Sequence, residues 1–171
     1  IVFGPGDRGV LEMFRPIAHS GLHVVPGWKE RRVSLIHVAD LVALLLLAAE
    51  KGERLHPDGA PGRGVYSVAA EHDPTYAELG RMTADAVGRR HVFLFHLAEP
   101  LPWLVAGVSQ VIASLARQPS VVNLDKMRET IQPSWAASPQ AIREQLGFEE
   151  PHSLQQRLCQ TAAWYREQGW I

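Results

Sequence analysis

The apolar positions of this chain change period along its length, and the changes mark its elements. Ile1, Val2 and Phe3 form a short strand-like run, and Gly4-Pro5-Gly6-Asp7 turns the chain sharply out of it. VLEMFRPIAHSG (10–21) spaces its apolar residues as a helix that ends near Gly21, despite Pro16. LHVVPGW (22–28) and RRVSLIHV (31–38) read as strands, the first running into a Pro-Gly turn. ADLVALLLLAAEKG (39–52) is a helix closed by Gly52, and being apolar nearly all round it is expected to be buried on most faces.

Pro, Gly and Asp make ERLHPDGAPGRG (53–64) a loop, and VYSVAA (65–70) reads as the next strand. Thr75 and Glu78 have capping-box spacing behind Pro74, predicting a helix that stops near Gly88. HVFLFHL (91–97) is a further strand, and 99–119 an apolar helix bounded by prolines. Two helices close the chain. One has Ser138 as N-cap, Pro139 at its first position and Gly147 as stop. The other opens on a Ser153/Gln156 capping box and stops at Gly169. Strands alternate with helices early and helices dominate late, which is an α/β unit with a helix-rich tail.

At 171 residues the chain is long enough for one domain with a substantial core. Its net charge of −1 gives no electrostatic reason to expect nucleic acid or an anionic membrane as partner. Cys159 is the only cysteine, so no intrachain disulfide forms and a reducing, cytoplasmic setting is expected. The apolar runs are too short or interrupted for stable membrane insertion.

Three stretches together resemble the C-terminal half of an extended short-chain dehydrogenase/reductase, the NAD(P)-dependent epimerase/dehydratase superfamily. VFGPGD (2–7) resembles the Tyr/Phe-Gly-Pro-Gly turn after that family's sixth sheet strand. RRVSLIHVADLVALLLLA (31–48) is similar to its Phe-Ile-His-Val-x-Asp strand-to-helix passage. SWAASPQAIREQLGF (134–148) with TAAWYREQGW (161–170) looks like its closing helix pair. PLPWLVAGVSQVIASLARQPSVVNLDKMR (100–128) resembles the branch of 3β-hydroxysteroid dehydrogenases and dihydroflavonol-4-reductase-like proteins.

The resemblance implies a substrate-binding lobe carrying the last strands of a Rossmann-type sheet, whose cofactor-binding half is encoded elsewhere. It implies NAD or NADP as cofactor, a small-molecule alcohol or ketone substrate (steroid-, flavonoid- or sugar-like), and a homodimer when intact. Ile1 and Val2 stand where family members lay backbone beside the nicotinamide, and Phe14, Val25, Arg32 and Trp103 where they line the substrate. The family's Gly-x-x-Gly-x-x-Gly loop and Tyr-x-x-x-Lys pair do not occur here, since none of Tyr66, Tyr76 and Tyr165 has Lys four residues on. No catalytic residue can therefore be named, and the chain alone is expected to be inactive. The alternative is a non-catalytic binding or regulatory relative of the same fold.

Other chemistry-bearing residues read as scaffold. Arg31 and Arg32 can also be a solvated pair. Ser34 and His37, three apart on one strand, would point to opposite faces, and Asp40 would cap the helix it opens. His19 and His23 are separated by Gly21, which breaks the helix a metal pair needs. Cys159 is expected to be buried and inert.

Overall fold

The computed structural model describes residues 1–55, 63–98, 134, 135 and 137–171. The apolar stretch 99–119, with Trp103, lies outside the described residues. Six short strands and five helices follow in the order β1 (Val2–Phe3), α1 (Arg8–Ser20), β2 (Leu22–Pro26), β3 (Arg32–Val33), β4 (Ile36–His37), α2 (Val38–Lys51), α3 (Tyr76–Ala86), β5 (Phe93–Leu97), β6 (Ser134–Trp135), α4 (Gln140–Leu146) and α5 (Leu154–Glu167) among the described residues. The strands pair in parallel as β1 with β4, β2 with β5, and β3 with β6. Each parallel pair needs a crossover, and α1, α2 and α3 lie in the first two. This is the α/β architecture of a Rossmann-type protein with a helical tail.

Local signals account for most helix ends. The Asp7 carboxylate accepts the amides of Gly9 (2.8 Å) and Val10 (3.2 Å), so α1 starts a little earlier than its apolar spacing indicates. Both capping boxes form, Thr75 with Glu78 and Ser153 with Gln156, each supplying about 1 kcal/mol. In α4 the cap position shifts by one: Pro139 is the N-cap, and Ser138 Oγ accepts the Gln140 amide at 3.3 Å.

Two expected strands take a different form. RRVSLIHV splits into β3 and β4, which pair with different partners, because Ser34 between them is engaged sideways. Its hydroxyl donates to Asp73 Oδ1 (2.6 Å) and accepts the Ala137 amide (2.7 Å). VYSVAA forms no strand; among the described residues its ladder-like contact is the Ala70 amide on the Leu35 carbonyl at 2.8 Å.

The larger core gathers Phe3, Leu11, Phe14, Leu35, Leu158 and Tyr165, closing α1, α3 and α5 over β1 and β3. Tyr165 and Trp164 both meet Trp170, Trp164 edge-on at 5.0 Å and Tyr165 nearly parallel at 5.7 Å. A smaller core joins Ile36 and Leu44 to Ile142 and Leu146 of α4. Helix α2 is not buried on most faces: only Asp40 and Leu44 are buried, while Leu45 and Leu46 are 60% and 63% exposed. Among the described residues β1, β4 and α4 pack on it from one side. No helix among them is long and apolar enough to cross a membrane.

Candidate functional site

In open parallel sheets, ligands sit beyond the carboxyl ends of the strands. Two such ends are present here. The first lies past β1 and β4, where the Gly4–Asp7 turn approaches the start of α2. A Cβ on Gly4 would lie 2.7 Å from Val38 Cγ1 and 3.1 Å from His37 Nε2, so only glycine lets these segments meet. His37 is the N-cap of α2, its Nδ1 accepting the Ala39 amide at 3.3 Å. That leaves the proton on Nε2, which is buried without a partner. Burial, and then the nearby Arg157 charge, push the His37 pKa below its ordinary value.

Asp40 is therefore not the cap of α2. Its carboxylate is buried and takes both arms of the Arg157 guanidinium, with Nε to Oδ2 at 2.8 Å. This first end fits no pyrophosphate. The exposed N-terminal amides of α1 are already bonded to the Asp7 carboxylate, which repels a second anion.

The second end lies past β2 and β5 and holds a cavity of about 290 Å³. Val25, Trp28, Arg31, Tyr76, Arg81 and His96 are among its lining residues. Trp28 stacks on the His96 ring, 4.7 Å between centroids and 6° between planes. Arg31 is buried and donates to the Pro26 carbonyl at 3.0 Å, so Arg31 and Arg32 do not form a solvated pair. Glu78, also on the wall, is committed to the Thr75 amide at 2.8 Å, and that bond holds its carboxyl below the usual range.

The residues singled out from the sequence fall in different places. Val25 lines the cavity. Arg32 is exposed, donates to the Asp73 carbonyl at 2.9 Å and bridges to Thr75, close to the cavity wall but not part of it. Phe14 is fully enclosed in the larger core, edge-on to Tyr165 at 5.3 Å. Ile1 and Val2 are 57% and 49% exposed. His23 is buried and its Nε2 bonds the Tyr76 carbonyl at 2.9 Å, while His19 faces outward on α1. Cys159 is exposed rather than buried, because α5 turns Leu154, Leu158, Thr161, Ala162 and Tyr165 to the core and Cys159 lies outside that stripe.

Two of the three tyrosines, Tyr165 and Tyr66, have their hydroxyls engaged in structural hydrogen bonds. Tyr165 donates to the Asp7 carbonyl at 2.6 Å, and burial pushes its pKa up to about 12. Tyr66 accepts the Glu53 amide at 2.9 Å, and burial raises Tyr76. The two raised tyrosines are poorly matched to proton transfer near neutral pH.

Trp28, Arg81 and His96 are the cavity residues that sequence reasoning missed. The available signal was a tryptophan directly after a Pro-Gly turn; nothing local connects it to His96.

No protein-family profile and no curated protein matches the chain. Solved structures do. A nucleoside-diphosphate-sugar epimerase from Pseudomonas aeruginosa is similar over 99% of this chain and 47% of its own, with a TM-score of 0.62 and 21% identity. The UDP-glucose 4-epimerase of Thermotoga maritima, solved with UDP-glucose, is similar over 98% of this chain and 44% of its own (TM-score 0.60, 19% identity). RMD from Pseudomonas aeruginosa, complexed with NADPH, is similar over 98% and 46% (TM-score 0.61, 13% identity). The likeness is one of fold, and the chain spans less than half the length of each of these proteins.

Proposed function

We propose that these residues are the substrate-binding portion of an NAD(P)-dependent oxidoreductase or epimerase acting on an alcohol or ketone. The observation that carries this reading is the extent of the fold match: nearly all of this chain corresponds to under half of two sugar-nucleotide epimerases. The cofactor is then held mainly by a half encoded elsewhere, which also supplies the proton-transfer pair. Ile1 and Val2, exposed on the strand beside the Gly4–Asp7 turn, offer backbone to the nicotinamide end. The substrate enters from the side of the β2–β5 cavity, with Val25 on its wall and Arg32 nearby. Phe14 acts only by supporting α1 from the core, and Trp103 is assigned to the substrate by the family resemblance alone. The tie to the 3β-hydroxysteroid and dihydroflavonol branch rests on 100–128 and belongs to the same proposal, as do a homodimer and a cytoplasmic location.

Ligand-induced thermal shift tests this reading. The 171 residues joined to their upstream coding sequence are expected to gain Tm with NAD or NADP, and to turn over a ketone or alcohol. The 171 residues alone are expected to show neither effect. Micromolar cofactor binding by the chain alone, or none by the joined protein, would overturn it.

A further inference from the structure

The cavity beyond β2 and β5 contains one nitrogen whose chemistry is fixed by its surroundings. His96 Nδ1 lies 3.0 Å from the Gly27 carbonyl. A carbonyl only accepts, so Nδ1 must carry the proton, and in the neutral ring Nε2 is left as a bare acceptor. Gly27 is itself fixed, at φ 74° with its amide on the Leu97 carbonyl at 2.9 Å. The turn therefore holds the imidazole from the strand end opposite. Nε2 has no hydrogen-bond partner among the described residues.

Trp28 covers one face of that imidazole with a nearly parallel indole. It does so while 74% exposed, so its own burial contributes little to holding it there. A donor that reaches Nε2 must approach in the plane of the imidazole. A flat ring carrying such a donor in its own plane is able to lie parallel to the indole while making this bond. Lys29 and Arg81 stand on the same wall without a hydrogen-bond or ion-pair partner among the described residues. Of the two carboxylates on the wall, Glu30 and Glu78, the second is already spent on Thr75. The space, about 290 Å³, holds one ring and its anionic group rather than a whole sugar nucleotide.

We infer that His96 is a specificity-determining residue, its Nε2 accepting an O–H or N–H from a planar, anionic ring seated beneath Trp28 and beside Arg81. This deepens the proposed function, on which it relies only for naming the ring as part of the substrate.

Two probes differing by a single hydroxyl test it, phenyl phosphate and 4-hydroxyphenyl phosphate, titrated without cofactor into the 171-residue chain. The hydroxyl probe is expected to bind about three- to tenfold more tightly, the weight of one net hydrogen bond. His96→Phe should abolish that gap, while Arg81→Gln should weaken both probes alike. Should His96→Phe fail to fold, the ring nitrogens of the unsubstituted chain provide a second readout. A long-range ¹H–¹⁵N spectrum should show Nδ1 protonated, and the Nε2 signal moving with the hydroxyl probe alone. Equal affinities, no saturable binding of either probe, a gap surviving His96→Phe, or a motionless Nε2 signal each overturn the inference. An inactive joined protein would sink the proposed function and leave this titration standing; lost selectivity here would leave cofactor binding untouched.

Discussion

The Arg157 guanidinium on α5 and the Asp40 carboxylate on α2 grip each other through two hydrogen bonds, with Asp40 buried and Arg157 partly buried. The pair ties the last helix to the first turn of α2, 117 residues apart. Removing one partner strands a charge away from water. Arg157→Ala is expected to cost about 3–5 kcal/mol, read as a lowered midpoint in urea unfolding. Replacing both residues by leucine should recover much of the loss, since two apolar groups leave no unpaired charge. A double variant no more stable than Arg157→Ala would show that the pair fixes geometry that leucines cannot supply.

Acid should weaken this fold through its buried imidazoles. Burial lowers the pKa of both His37 and His23, and Arg157 lowers His37 further. Once unfolded, both rings take up protons near the usual value of about 6.5. The unfolded state thus binds more protons as pH falls, so stability is full above about 6.5 and declines toward the lower folded values. Protonated His37 also loses Nδ1 as acceptor for Ala39. Glu150, whose carboxyl is pushed up by burial, offsets part of this loss. His37→Asn, which keeps a side-chain cap, should flatten the decline in unfolding free energy measured from about pH 7 to 5. An unchanged slope would place the titration elsewhere.

How much of this was legible in the sequence depended on distance along the chain. Both capping boxes, the Gly21 and Gly147 stops and the β1 turn follow from residues within a few positions of one another, and all are present. Ser34 was not legible as a break, because its partners Asp73 and Ala137 lie 39 and 103 residues away. The same holds for Asp40, whose local role as a cap was displaced by a distant arginine. Cys159 was legible and misread: Leu154, Leu158, Thr161, Ala162 and Tyr165 recur at helical spacing, and Cys159 falls off that stripe. At the candidate site, Val25 was named through the family resemblance, but the stack of Trp28 on His96 depends on the register of β2 against β5.

Gly80 on α3 faces the buried ring of His23, and a Cβ there would lie 2.7 Å from His23 Cγ. Gly80→Ala forces apart α3 and β2, so the usual gain from alanine in a helix is reversed. We expect a loss of about 1–3 kcal/mol. A Tm equal to or above that of the unsubstituted chain would show that the helix can shift at little cost.

Thr83, one turn further along, has the opposite character. Its hydroxyl is buried without a hydrogen-bond partner among the described residues. Thr83→Val keeps the shape and removes an oxygen that lost its water on folding. The variant is expected to be neutral or more stable by about 1 kcal/mol in urea unfolding. A clear loss would indicate that the oxygen is satisfied in solution.

The grouping of Trp164, Tyr165 and Trp170 gives the protein an optical label of its own. Indoles 5.0 Å apart and crossed at 86° couple their electronic transitions, so they should give a strong near-ultraviolet circular dichroism band that exists only while α5 is seated. The closing of the C-terminal helix on its neighbours can then be timed in a stopped-flow instrument without attaching any dye.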